Sequence, residues 1–226
     1  IQTWAQSTYD LGVTHYYQDD FGPAERAVTS ARELYAQVAD LKGEVSAGYM
    51  AGTIHKQLGQ YQTALDQFNA SLATARRGGW RQGEMQILAT LGNTYLRLGN
   101  YPEARRCHEQ ALAGCRAMND REGEAASIDV LGLVAADQGD LAGARQRYEQ
   151  ALAIQQEIGD QRFLGGTFHN LAEAHWQQGN HAESRRLSEL ALSAHQQSGD
   201  RRAQGFTLKA MANRERQAGN VELAES

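Results

Sequence analysis

Proline and cysteine are nearly missing from this 226-residue chain, at two residues each, and lysine occurs only at Lys42, Lys56 and Lys209. Proline breaks helix interiors, so its scarcity leaves long helices unobstructed. Two cysteines, Cys107 and Cys115, make no disulfide framework; a reduced, cytoplasmic compartment is the simpler reading. No apolar run approaches the roughly 20 residues that span a bilayer as a helix. No signal-peptide pattern is present either. The formal net charge is −5, and a nucleic-acid surface needs the opposite sign. Neither nucleic acid nor membrane is therefore expected as a partner.

What is present is regular. Hydrophobic residues make up 41% of the chain and charged residues 22%, enough to bury a core with a solvated exterior. The 23 glycines would be excessive for helices were they scattered, but they fall in phase. Leu11-Gly12, Leu91-Gly92 and Leu131-Gly132 repeat one phrase, with Ala51-Gly52 and Leu171-Ala172 in the same register. A second column is Gly59, Gly99, Gly139, Gly179 and Gly219, with Asp19 in the first slot. A third is Asp20, Gln60, Asn100, Asp140, Asn180 and Asn220; a fourth is Ala24, Ala64, Ala104, Ala144, Ser184 and Ala224.

Each column has a physical task. Glycine ends a helix in the left-handed conformation, and Asp is a tolerable substitute. The Asp or Asn that follows is expected to cap the next helix, each cap contributing about 1 kcal/mol. Small residues let two antiparallel helices approach closely. A second turn at Ala39-Asp40, Asn119-Asp120, Gly159-Asp160 and Gly199-Asp200 closes each hairpin, and Gly79-Trp80 breaks its Asp pattern once. Apolar steps of three and four, as in Leu141, Ala144, Tyr148, Ala151 and Leu152, predict one buried stripe per helix.

The phrase Leu-Gly-x-x-Tyr-x-x-x-Gly-Asn-Tyr-x-x-Ala, running from Leu91 to Ala104, resembles the tetratricopeptide repeat. The spacing resembles the longer, 40-residue form of kinesin light chains and of sensor regions in bacterial regulators and signalling ATPases. The resemblance implies an all-α fold: a right-handed α-solenoid of antiparallel helix hairpins with a concave groove lined by each repeat's first helix. One domain over residues 1–226 is expected, with repeats at 1–40, 41–80, 81–120, 121–160, 161–200 and an incomplete 201–226. The start at Ile1 without Met suggests a trimmed piece. No polar capping helix closes the C-terminal end, so more chain, a partner, or a second copy in a homodimer is expected there.

The groove positions are read as Tyr9, Tyr16, Tyr49, Lys56, Asn93, Arg97, Asp129, Asn170, Glu173, Trp176, Lys209 and Asn213. Aromatics with amides and mixed charges suit a protein or peptide segment, because rings supply contact area and amides bond its backbone. The competing reading is an ordinary solvated helix face. Lys209 and Asn213 have the i, i+4 relation seen in tetratricopeptide clamps for a C-terminal carboxylate, but no other repeat carries the lysine. Arg105, Arg145 and Arg185, each followed four residues later by Glu109, Glu149 and Glu189, read as helix-surface ion pairs rather than a basic ladder. His15, His55 and His175 share a column with Tyr95 and read as packing residues; no histidine pair offers two ligands on one helical face. No phosphate loop and no nucleophile elbow is found, and the carboxylates are expected on exposed faces. The sequence thus predicts a non-enzymatic scaffold without metal or cofactor. Its alternatives are a sensor arm of a larger signalling or transcription-regulatory protein and a self-associating structural module.

Overall fold

The structure, a computed structural model, describes residues 1–219. Eleven helices and no strand are found among them: α1 (Gln2–Tyr17), α2 (Phe21–Gln37), α3 (Leu41–Gln57), α4 (Tyr61–Arg77), α5 (Arg81–Arg97), α6 (Tyr101–Ala117), α7 (Arg121–Asp137), α8 (Leu141–Glu157), α9 (Gln161–Gln177), α10 (His181–Gln197) and α11 (Arg201–Gln217). Asn220, Ala224 and the shortened last helix expected up to Ser226 lie outside the described residues.

Every helix from α1 to α10 is stopped in the same way. In the first turn the Asp20 N–H donates to His15 O at 3.0 Å and the Asp19 N–H to Tyr16 O at 3.1 Å. This pair of bonds folds the last carbonyls back on the chain and needs a left-handed residue between them. Glycine fills that place at Gly59, Gly79, Gly99, Gly139, Gly159, Gly179 and Gly199; Asp19, Ala39 and Asn119 hold it with φ of 58°, 53° and 54°.

The small columns work as expected. Ala24, Ala64, Ala104, Ala144 and Ser184 are all fully buried. A Cβ at Gly52 would lie 2.6 Å from the Phe68 ring, one at Gly92 2.4 Å from the His108 ring, and one at Gly132 2.5 Å from the Tyr148 ring. Each first helix thus has a notch into which the second helix sets a large side chain. Where the notch is narrowed to Ala172, the residue in the facing column is the small Ser188, whose hydroxyl donates to Ser184 O.

The chain falls into two compact units, Ile1–Gly114 and Cys115 onward. Within each, successive helices pack as antiparallel hairpins, and the first helices of adjacent hairpins touch: α1 with α3 and α3 with α5 in one unit, α7 with α9 and α9 with α11 in the other. This is an all-α solenoid of the tetratricopeptide type. The first unit's core gathers Ala5, Val28, Tyr35, Ala51 and Ile54; the second gathers Tyr148, Leu152, Leu164, Leu171 and Leu187.

Three expectations need correction. The capping bonds concentrate at the turns between hairpins: Asp40, Asp120, Asp160 and Asp200 accept from Gly43, Gly123, Arg162 and Ala203 backbone N–H groups. Inside the hairpins only Asp140 does so at 2.9 Å, with Asn100 at 3.4 Å, while Asp20, Gln60 and Asn180 make no such bond. Gln60 turns back to His55 Nδ1 at 2.7 Å instead. The surface ion pair forms at Arg145–Glu149, but Arg185 reaches Glu215 on the next helix.

The third correction concerns carboxylates, several of which are buried. Glu84 accepts from Arg76 Nε at 2.7 Å and Arg81 Nη1 at 3.0 Å. Glu124 repeats the arrangement with Arg116 at 2.8 Å and Arg121 at 2.6 Å. Burial pushes the Glu84 acid up, but the two guanidinium groups outweigh it and hold it low. The hydrogen bond from Arg116 leads the same downward shift at Glu124. Each carboxylate joins the end of one hairpin to the start of the next, a structural task.

Candidate functional site

Neighbouring first helices bring residues 41 apart into contact. In the first unit the Tyr49 and Thr90 hydroxyls lie 3.1 Å apart, and Tyr16 meets Gln57. In the second, Asn170 Nδ2 donates to Asp129 Oδ2 at 3.3 Å, Arg214 Nη2 to Glu173 Oε2 at 2.6 Å, and Trp176 Nε1 to Gln217 Oε1 at 3.2 Å. The offset is one residue more than the repeat, so each contact joins positions that differ in kind.

In the first unit Tyr9 and Tyr49 line one cleft of about 310 Å³ together with Ser46, Met50, Trp80 and Ile87. Both tyrosines are half-buried, and burial pushes the Tyr9 phenol up. Trp80 stands where other repeats have the capping Asp; its ring lies across Gly83, where a Cβ would meet it at 2.5 Å. Without glycine at that position the indole could not keep this place beside its own helix. Tyr16 belongs elsewhere, edge-on to Tyr17 and Phe21 near the α1–α2 turn.

Lys56, Asn93 and Arg97 meet in a second cleft of about 570 Å³, closed by Gln57, Tyr61, Thr94 and Leu96. Lys56 is half-buried. Desolvation, with the Arg97 guanidinium adding to it, pushes its ammonium below the ordinary lysine range.

The second unit holds Asp129 and Asn170 together. Asp129 Oδ1 is shut off from solvent and has no hydrogen-bond partner. Burial raises its acid to about 6, partly offset by Thr167 and Asn170. Unlike Glu84 and Glu124, it has no guanidinium. Glu173 is committed to Arg214, which is 7% exposed and also donates to Ser188 Oγ at 2.7 Å. Trp176 stacks against His181 with ring centres 4.2 Å apart and borders a separate cleft with Met211, Arg214 and Glu215. Lys209 and Asn213 are exposed.

The structure thus groups Tyr9 with Tyr49, Lys56 with Asn93 and Arg97, and Asp129 with Asn170. Sequence reasoning missed Trp80, Met50, Arg214 and Gln217; Trp80 left a signal as the break in the Asp column, and Arg214 as the one charge in the column of Thr14, Ile54, Thr94, Val134 and Ala174. Among the described residues no group of three His, Cys, Asp or Glu side chains is placed to hold a metal ion. No described helix is long and apolar enough to cross a membrane.

This geometry has counterparts. BtubC (BKLC) of P. vanneervenii superposes with a TM-score of 0.78 at 17% identity, over 88% of this chain and 82% of that one. The Rap conjugation gene regulator of plasmid pLS20, in complex with the Phr* peptide, gives 0.75 at 14%, over 96% of this chain and 60% of that one. A signal transduction ATPase with a tetratricopeptide repeat sensor, from Pyrococcus horikoshii, gives 0.81 at 17%, over 97% of this chain and 34% of that one. At these identities the likeness is one of fold. A sequence comparison with curated proteins gives no significant match. The tetratricopeptide repeat profile matches residues 44–117 and 83–157, and a second profile of that description matches 164–198. By these matches, and by the hairpins they cover, the chain belongs to the tetratricopeptide repeat family.

Proposed function

We propose that this chain is a non-enzymatic scaffold whose first-helix faces form a groove for a protein or peptide segment. The observation that carries this is the cleft of Tyr9, Tyr49, Met50, Trp80 and Ile87. Rings of this kind, gathered on one face, are the anchors on which binding energy concentrates. Asp129 supports the reading from the other unit, since its partnerless Oδ1 suits the backbone N–H of an extended segment. The Rap regulator solved with its peptide has the same fold at low identity, which makes a segment a reasonable ligand for such a face. A sensor arm within a larger regulator is the second reading, supported by the likeness to the Pyrococcus horikoshii ATPase with a tetratricopeptide repeat sensor, of which this chain covers 34%.

The test is a random-peptide display selection on the purified chain. Selected segments should bind at least about tenfold more weakly to Tyr49→Ala or Trp80→Ala, as expected for buried anchors, with helicity unchanged by circular dichroism. Segments that bind both variants as well as the parent would refute the groove.

A further inference from the structure

Two columns break at one place in the second unit. Val28, Phe68, His108 and Tyr148 each set a large side chain against the facing helix, and Ser188 stands in that column. Thr14, Ile54, Thr94, Val134 and Ala174 are small or apolar, and Arg214 stands in theirs. The two departures meet, because Arg214 Nη1 donates to Ser188 Oγ at 2.7 Å. A guanidinium thus enters space left by the missing large side chain, without filling it. A cleft of about 250 Å³ remains between α10, α11 and the end of α9, with Trp176, Ala182, Met211 and Ala218 as apolar walls.

Arg214 lines this cleft and is 7% exposed. Its Nη1 is spent on Ser188 and its Nη2 on Glu173 at 2.6 Å. Its Nε–H is buried and has no partner among the described residues. Such a donor is costly, and folded chains keep few of them. The charges around the cleft are already paired, Arg214 with Glu173 and Arg185 with Glu215 at 2.5 Å. What the cleft lacks is therefore an apolar body with one acceptor oxygen, not a counter-ion. Trp176, whose ring centre lies 4.2 Å from that of His181, and the Met211 thioether favour a ring as that body. An apolar cavity of about 150 Å³ holds benzene, so this cleft has room for one ring and a short polar tail. A simpler account is that the small residue at 188 has left a packing defect. That explains a void; it does not explain a buried guanidinium with an unspent donor at its wall.

We infer that this cleft binds an uncharged aromatic group that carries a carbonyl oxygen, with Arg214 as the donor to that oxygen. The site belongs to the second unit and does not rest on the groove reading. Two kinds of molecule carry this chemistry: a free aromatic ketone, ester or amide, and an aromatic side chain with its own main-chain carbonyl. An anionic ring gains nothing, because Glu173 already neutralises the guanidinium and Glu215 lines the same cleft.

The probe is para-fluoroacetophenone, titrated with the full chain by fluorine NMR. Para-fluoroethylbenzene is the analogue without an acceptor, and para-fluorobenzoate the charged one. The ketone should bind at least about fivefold more tightly than either. Ala218 is exposed, so Ala218→Phe should keep the helicity seen by circular dichroism while its ring blocks the cleft and weakens ketone binding at least about tenfold. Arg214→Lys keeps a charge for Glu173 but has no Nε–H, and should bring the ketone and the ethyl analogue within about twofold of each other. Ser193→Phe adds a ring on the exposed side of α10 and should leave ketone affinity within about twofold. Acetyl-glycyl-(para-fluorophenylalanyl)-glycinamide separates the two sources. Bound more tightly than the ketone, it assigns the site to a side chain of a protein segment; bound more weakly, to a free molecule. No ketone binding, ketone binding that survives Ala218→Phe, or benzoate bound as tightly as the ketone overturns the inference. So does a chain ending at Gly219 that binds the ketone where the full chain does not, which gives the cleft to residues 220–226.

Discussion

His108 is the one imidazole among the rings that fill the glycine notches, and replacing it with phenylalanine tests how these hairpins pack. It sits over Gly92 as Phe68 sits over Gly52 and Tyr148 over Gly132. It is 1% exposed, and neither ring nitrogen has a partner. Burial alone pushes its basicity from the ordinary 6.5 down to about 4. A lowered histidine means the unfolded chain binds the proton first, so stability falls as pH drops from about 6.5 to about 4. At about 1.4 kcal/mol per unit the full cost is about 3.5 kcal/mol, with about 2 kcal/mol in force by pH 5. At pH 7.5 the titration contributes nothing, but the neutral ring still hides an unbonded N–H, a further cost of about 1–2 kcal/mol. His108→Phe should therefore stabilise the chain by about 1–2 kcal/mol at pH 7.5 and by about 3–4 kcal/mol at pH 5. Urea unfolding followed by circular dichroism at the two pH values measures this. Titration of the His108 ring by NMR checks the cause directly. If parent and variant lose stability in parallel between pH 7.5 and 5, or the ring titrates near 6.5, the buried neutral imidazole is not what the notch contains.

Two other substitutions probe the turns and the second unit. Ala39 holds a left-handed backbone at φ 53°, where seven of the other helix ends from α1 to α10 use glycine without strain; Ala39→Gly should raise stability by about 0.5–1 kcal/mol in urea unfolding, and a loss would contradict the turn geometry. Asp129, raised to about 6 from an ordinary 3.8, acts in the opposite sense to His108: the folded chain binds its proton first, so stability falls as pH rises from about 4 to about 6. Asp129→Asn should remove that slope and stabilise the chain by about 2 kcal/mol at pH 7. Urea midpoints that keep the parent's pH dependence would place the Asp129 charge in solvent.

Much of the fold was legible before any coordinate. Gly59, Gly99, Gly139 and Gly179 mark helix ends because a left-handed residue is needed there at every hairpin, and Ala24 to Ala144 mark the close approach because no larger side chain fits. What escaped the sequence escaped for a physical reason. Many of the side chains that meet across first helices are 41 apart, while the repeat is 40, so those contacts join unlike columns and no column displays them. Arg214 is the one charge in a column that otherwise holds Thr14, Ile54, Thr94, Val134 and Ala174, but its partner Glu173 is found only in space. Asp129 reads as one more surface acid until Asn170 and Thr167 close over it. Trp80 is the instructive case: it was visible as the place where a capping Asp is missing. The columns that hold phase record what every hairpin needs to stack, and so say nothing of a ligand. The departures from phase are where stacking no longer dictates the residue. By that argument Trp80, where a capping Asp is missing, and Asp129, a buried carboxylate without a guanidinium, are the residues most worth testing for function.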